Sequence, residues 1–193
     1  MKELKLIAIT GGIGSGKSTA LKIIADLGYK TFSSDQIVAE LYSSVNVRKQ
    51  LKPLFPDAVS GNDYILDKRK ISSIVFSDKQ KLIELTELIT PMVLAEIFRR
   101  TAKLAETVFV EVPLLFECGF EDMFDGVFVI TRPLNERIKS VITRSNLTEQ
   151  EVINRINSQF DYENSDLTNN IVIENLGSYD DLKTKLIKEI ERI

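Results

Sequence analysis

The sequence predicts an α/β fold organised on a parallel sheet, and three observations support that expectation. Short apolar runs of strand length alternate with segments of helical periodicity. The first run, residues 4–9, passes through a glycine-rich loop directly into a helix. At 193 residues, with 44% hydrophobic and 27% charged residues, the chain suits one domain with room for an inserted subdomain.

After the glycine-rich loop, Leu21, Ile23, Ile24 and Leu27 recur at helical spacing, and Gly28 stops that helix. Residues 30–32 form a short second strand, followed by Ser33-Ser34-Asp35 and a helix over 36–44 carrying Ile37, Val38 and Leu41. Residues 45–66 read as less regular, with Pro53, Pro56 and a turn at Ser60-Gly61-Asn62-Asp63. Residues 67–106 read as almost wholly helical. Asp67 caps a run with Ile71, Ile74, Val75 and Phe76, and a second run from Asp78 carries Leu82, Leu85 and Ile89. Thr90-Pro91 then restarts the helix, as a cap followed by proline at the first helical position. This is more helix than one crossover needs, so an inserted helical subdomain is expected.

Residues 107–112 and 126–130 read as buried strands, and residues 134–145 as a helix. Thr148 and Glu151 form a capping box for the next helix. Residues 171–173 form a last strand, Asn175-Leu176-Gly177 a turn, and Ser178 caps a final amphipathic helix. Charge is uneven here: residues 132–155 hold five basic and three acidic side chains, residues 156–181 six acidic and none basic. The expected division is a core of 1–44, 107–133 and 170–193, an insertion at about 45–106, and a helical lid at about 134–169.

Composition narrows the chemistry. The net charge of −3 gives no reason to expect a nucleic-acid partner. The single Cys118 excludes an internal disulfide and a thiolate zinc cluster, fits a reducing compartment, and reads as a small inert hydrophobe. With no histidine there is no imidazole base and no histidine-ligated metal. Met1-Lys2-Glu3 leads into the first strand without a signal-peptide pattern, and no apolar run approaches membrane-spanning length. A cytoplasmic protein, monomeric or weakly self-associating, is the expectation.

Gly11, Gly16, Lys17 and Ser18 fit G-x-x-x-x-G-K-[ST] in the strand–loop–helix context that the pattern requires. Four of the nine glycines lie within residues 11–16, where bare backbone lets N–H groups approach anionic oxygens. The following helix adds its positive end. The pattern points to ATP and magnesium, with Gly12, Ile13, Gly14, Ser15, Gly16, Lys17, Ser18 and Thr19 around the phosphates. Lys17 then reaches the β- and γ-phosphates and Ser18 offers its hydroxyl to Mg2+.

Ligands of parallel sheets sit at the carboxyl ends of strands, which puts the loop, Asp35, Glu111 and Arg132 along one rim. Asp35 is either the cap of the next helix or the carboxylate that aligns an attacking hydroxyl. Glu111 either binds magnesium through water or ends its strand in solvent; Glu117 either pairs with a lid arginine or caps a turn. Arg137 and Arg144, seven apart, share a helix face and read as phosphate contacts, with a solvated face as the alternative. Leu82, Leu85, Ile89 and Val93 read as core. The guanine-reading tetrapeptide N-K-x-D is absent, and a basic helical pair after the fourth strand looks like the lid of a small-molecule kinase.

Together these residues resemble the dephospho-CoA kinase family over nearly the whole chain. The opening Ile9-Thr10-Gly11-Gly12-Ile13-Gly14-Ser15-Gly16-Lys17-Ser18-Thr19 is similar to that family's start. Leu66-Asp67-Lys68-Arg69-Lys70-Ile71 with Val75-Phe76 resembles its L-D-R-x-x-L…V-F segment, and Glu111-Val112-Pro113-Leu114-Leu115-Phe116-Glu117 resembles D-x-P-L-L-F-E. The chain departs at Ser33, where the family has aspartate, at Lys68 for arginine, at Thr90 for histidine, and at Asn169-Asn170 for A-D. The resemblance implies a parallel-sheet P-loop kinase core with an inserted helical subdomain and a helical lid. It implies phosphorylation of the ribose 3′-hydroxyl of dephospho-CoA by ATP, with Asp35, Lys17 and Arg144 catalytic and Leu114, Leu115 and Phe116 walling the acceptor. It further puts Arg137, Arg144, Arg155, Gln159 and Asn175 in the lid and nucleotide-binding turn. Another small-molecule kinase, or a nucleotide-binding regulator without catalysis, stays open beside it.

Overall fold

The computed structural model describes residues 4–145 and 147–193, apart from the side chain of Phe76. Met1-Lys2-Glu3 and the Phe76 side chain, both read above, lie outside the described residues. The chain divides into two compact units: the described residues up to Ser33 with Leu104–Ile193, and Ser34–Lys103.

The first unit carries strands β1 (Lys5–Thr10) and β2 (Lys30–Ser33), and, beyond the second unit, β5 (Thr107–Glu111), β6 (Gly126–Thr131) and β7 (Ile171–Glu174). All are parallel, in the order β2-β5-β1-β6-β7. Its helices are α1 (Lys17–Asp26), α6 (Leu134–Arg144), α7 (Glu149–Asn157) and α8 (Tyr179–Ile190). The strands read as unbroken apolar runs because both sheet faces are covered. On one face Ile7, Ile9, Phe109, Phe128 and Ile130 pack on Ile23, Ile24 and Leu186 of α1 and α8. On the other, Ala8, Val127 and Val129 meet Leu115 and Tyr162, with Phe116 and Phe160 alongside. Phe109 and Phe128 are fully buried, each stabilising the unit by about 1.5–3 kcal/mol through apolar burial.

The register aligns Ile9 with Glu111, Thr10 with Val129, and Thr131 with Glu174. The carboxyl ends of β5, β1, β6 and β7 therefore form one edge, and the loop after β1 leaves from its middle. Gly28 stops α1 as expected, with φ of 94° beyond the cap at Leu27.

The second unit holds α2 (Ser34–Leu41), α3 (Val45–Leu54), the hairpin of β3 (Val59–Ser60) and β4 (Ile65–Leu66), α4 (Lys68–Ser77) and α5 (Lys79–Thr101). Four expectations are corrected here. Residues 45–54 are helical, because buried Val47 and Leu51 anchor one face and Pro53 falls in the last turn. Helix α5 does not restart at Thr90-Pro91; it runs through Pro91. A proline inside a helix removes one hydrogen bond, yet Ile89, Val93 and Ile97 stay buried on one stripe across it. Leu82 is exposed and only the stripe from Ile89 onward is core. Helix α2 starts at Ser34, so Asp35 lies in its first turn and is not its cap. Asp67 and Asp78 cap α4 and α5 as expected, each accepting two backbone N–H groups.

Candidate active site

The loop between β1 and α1 is shaped by groups that approach too closely for side chains. A Cβ on Gly12 would lie 2.2 Å from Nη2 of Arg137, and one on Gly16, at φ of 103°, 2.3 Å from Nδ2 of Asn175. Glycine at these positions lets α6 and the turn after β7 touch the loop backbone.

Those neighbours are hydrogen-bonded to it. Arg137 Nε donates to the Ile13 carbonyl at 3.0 Å, while the Ile13 N–H donates to Gln159 Oε1 at 2.7 Å. Asn175 Nδ2 donates to the Ser15 carbonyl at 2.8 Å. Lys17 Nζ is drawn into the loop, donating to the carbonyls of Gly11 at 2.6 Å and Gly12 at 3.1 Å. Ser18 Oγ donates to Glu111 Oε1 at 2.9 Å, joining the start of α1 to the end of β5. Glu111 is 6% exposed, so its carboxylate is a buried group with a partner rather than a solvated strand end.

Arg137 is 5% exposed. Burial disfavours its charge and pulls its pKa below the usual guanidinium value, an effect that Glu163, 3.7 Å away, partly offsets. The guanidinium borders a cavity of about 320 Å³ with Gly12, Ser15, Arg132, Tyr162 and Glu163. Ser15 Oγ and Arg132 Nε are buried there without hydrogen-bond partners among the described residues. Unpaired buried donors in a cavity of this size suit a polar, anionic ligand.

Gly12, Ile13, Gly14, Ser15, Gly16, Lys17, Ser18, Glu111, Arg137, Gln159 and Asn175 thus gather in the first unit, with Thr19 exposed on α1. The two arginines of the shared face differ in setting: Arg137 is buried, and Arg144 is exposed in the last turn of α6. Seven residues return to the same face but advance about 10 Å along the axis. Arg132 pairs with Glu136 at 3.7 Å, and Arg155 is half-buried on α7. Glu117 accepts the Phe160 N–H at 2.9 Å, which is the turn-capping alternative rather than an arginine pair. Leu115 is fully buried, Leu114 exposed, and Phe116 stacks on Phe160 with ring centroids 4.7 Å apart. Asp35 belongs to the second unit, exposed in the first turn of α2.

Sequence reasoning overlooked Tyr162, whose hydroxyl lies 3.2 Å from Thr10 Oγ1 below the loop. Its signal was faint: one of three aromatics in the segment 156–181, whose acidic charge dominated.

A sequence model of dephospho-CoA kinase matches residues 5–181. A dephospho-CoA kinase of Thermus thermophilus is 38% identical over 182 residues, covering 94% of this chain and 88% of its own. A crystal structure from Thermus thermophilus superposes with a TM-score of 0.86 at 36% identity, covering 100% of this chain and 99% of that one. The dephospho-CoA kinase of Campylobacter jejuni gives 0.66 at 27% identity, covering 98% and 96%.

Proposed function

The chain belongs to the dephospho-CoA kinase family, and from that membership we infer that it transfers the γ-phosphoryl group of ATP to the ribose 3′-hydroxyl of dephospho-CoA, giving CoA and ADP. The observation that carries the reading is the complete phosphate loop, with Lys17 held at its centre and Ser18 hydrogen-bonded to Glu111, in a chain matched to the family over residues 5–181.

Phosphoryl transfer passes through a loose transition state, so positioning and charge neutralisation are the protein's main tasks. The loop N–H groups and the start of α1 hold the phosphates, Lys17 bridges β and γ, and Asn175 and Arg137 keep the loop in shape. A magnesium ion, when bound, neutralises the β- and γ-phosphates. The oxygen-only pair of Ser18 and Glu111 fits it: the serine proton is directed to the carboxylate, leaving hydroxyl lone pairs for a hard cation. Among the described residues no three His, Cys, Asp or Glu side chains cluster as a metal cage. Asp35, two residues beyond the end of β2, takes or aligns the 3′-hydroxyl proton. Arg144 supplies charge to the transferring group from the lid segment 134–169. We propose a single P-loop kinase domain and the cytoplasm as its place, on a single cysteine that allows no internal disulfide and the absence, among the described residues, of a helix long and apolar enough to cross a membrane.

The test is ADP release with dephospho-CoA compared with adenosine and AMP, all with Mg-ATP. Dephospho-CoA is expected to be strongly preferred. A higher rate with either other acceptor gives the reading to a different small-molecule kinase, and ATP binding without turnover on any acceptor makes the chain a regulator.

The two arginines of α6 are expected to differ. Arg144→Ala lowers kcat by roughly 10²-fold with little change in KM for ATP, because charge develops in the transition state. Arg137→Ala raises KM for ATP and lowers the melting temperature, because the Ile13 carbonyl loses its donor. Steady-state kinetics and thermal melts of both variants check this; identical profiles would refute the division of roles.

A further inference from the structure

We propose that Tyr162 is a positioning residue for the phosphate loop, its hydroxyl acting through Thr10 and Gly11 to tighten nucleotide binding. The proposal rests on the reading of that loop as an ATP site. Tyr162 is 8% exposed and Thr10 fully buried. The phenol oxygen lies 3.2 Å from Thr10 Oγ1 and accepts the Gly11 backbone N–H. Thr10 is the last residue of β1, and Gly11, at φ of 142°, is where the chain turns into the loop. The Gly11 carbonyl in turn accepts Lys17 Nζ at 2.6 Å. One hydroxyl therefore fixes the residue on which the loop lysine is seated.

The chemistry of the group fits this role. Burial pushes the phenol up to about 12, so it stays protonated and can donate while accepting from Gly11. The ring alone would not need the oxygen: it packs edge-on against Phe160 at 5.2 Å and Phe116 at 6.0 Å, contacts that phenylalanine would make as well. A hydroxyl placed in such an apolar cluster is costly unless bonded, and both of its partners are loop-entry groups. Gln159, three residues earlier, binds the Ile13 N–H, so the segment 159–162 braces the loop at two points.

Tyr162→Phe keeps the ring and removes the brace. The expected result is an increase of about tenfold in both the Kd for Mg-ADP and the KM for ATP, with kcat changed by less than about twofold. Thr10→Val should reproduce part of that loss, and the double variant should lose less than the two singles combined, because they remove one shared contact. A Tyr162→Phe protein with lower melting temperature but unchanged Mg-ADP affinity would reduce the hydroxyl to fold maintenance and overturn the proposal. So would a fall in kcat at constant affinity, or strict additivity with Thr10→Val. Mg-ADP binding is measured without an acceptor, so a parent enzyme inactive on dephospho-CoA would defeat the assigned reaction and leave this test standing.

Discussion

Lys17→Ala is expected to lower kcat/KM by about 10²–10³ while the protein remains folded, the loss typical of removing one preorganised donor from developing charge. Lys17 is 9% exposed, and its ammonium donates to the loop carbonyls of Gly11 and Gly12. Its removal leaves the carbonyls of Gly11 and Gly12 beside an opening that water can enter, so the melting temperature should fall by only a few degrees, about 1 kcal/mol. Lys17→Arg should recover little, because a planar fork cannot occupy the point position that two carbonyls define. Circular dichroism melts and ADP-release kinetics on one preparation separate folding from chemistry. A Lys17→Ala enzyme working near the parental rate would show that the lysine braces the loop and does not touch phosphate.

Asp35→Asn is expected to reduce turnover by roughly 10²–10⁴, the usual contribution of a positioned general base. ATP affinity should hold, because the groups assigned to the phosphates lie elsewhere in the chain. The structure alters the reason for expecting stability to hold. Asp35 is not the cap of α2 but an exposed acid in its first turn, where it favours the helix dipole. Asparagine loses that attraction, and the melting temperature should drop by no more than about 2 °C. Saturating dephospho-CoA and Mg-ATP are needed, so that the rate reports chemistry. A fully active variant would leave Asp35 as a helix-dipole residue and take the base assignment away.

Much of the fold was legible because it is written in local rules. The caps at Asp67, Asp78, Thr148 and Ser178 bind the N–H groups that their sequence spacing implies. The loop glycines and the covered strands are equally local signals. The misses share a tertiary cause. Helix α3 is anchored by buried Val47 and Leu51 and packs on α5 and β3, elements that come later in the chain, while Pro53 and Pro56 argued locally for irregular chain. Pro91 is carried through α5 by a buried stripe on both sides, an outcome that propensity alone opposes. Arg137 and Arg144 are equivalent on a helical wheel, yet one is buried and the other exposed, because a wheel contains no axial distance. Tyr162 pairs with Thr10 across 152 positions of sequence, and no periodicity reports such a contact.

The Ile13 peptide, gripped at its N–H by Gln159 and at its carbonyl by Arg137, has a thermodynamic consequence. Glycine-rich segments lose more conformational entropy on ordering than any others, and a loop ordered only by its ligand would subtract that loss from every binding event. Here the ordering is charged to folding instead: side chains of α6, the segment after α7 and the turn after β7 fix the loop as part of the native state. Nucleotide affinity and global stability are therefore linked quantities in this protein. Substitutions that loosen those three supports would weaken binding in proportion to the disorder they introduce.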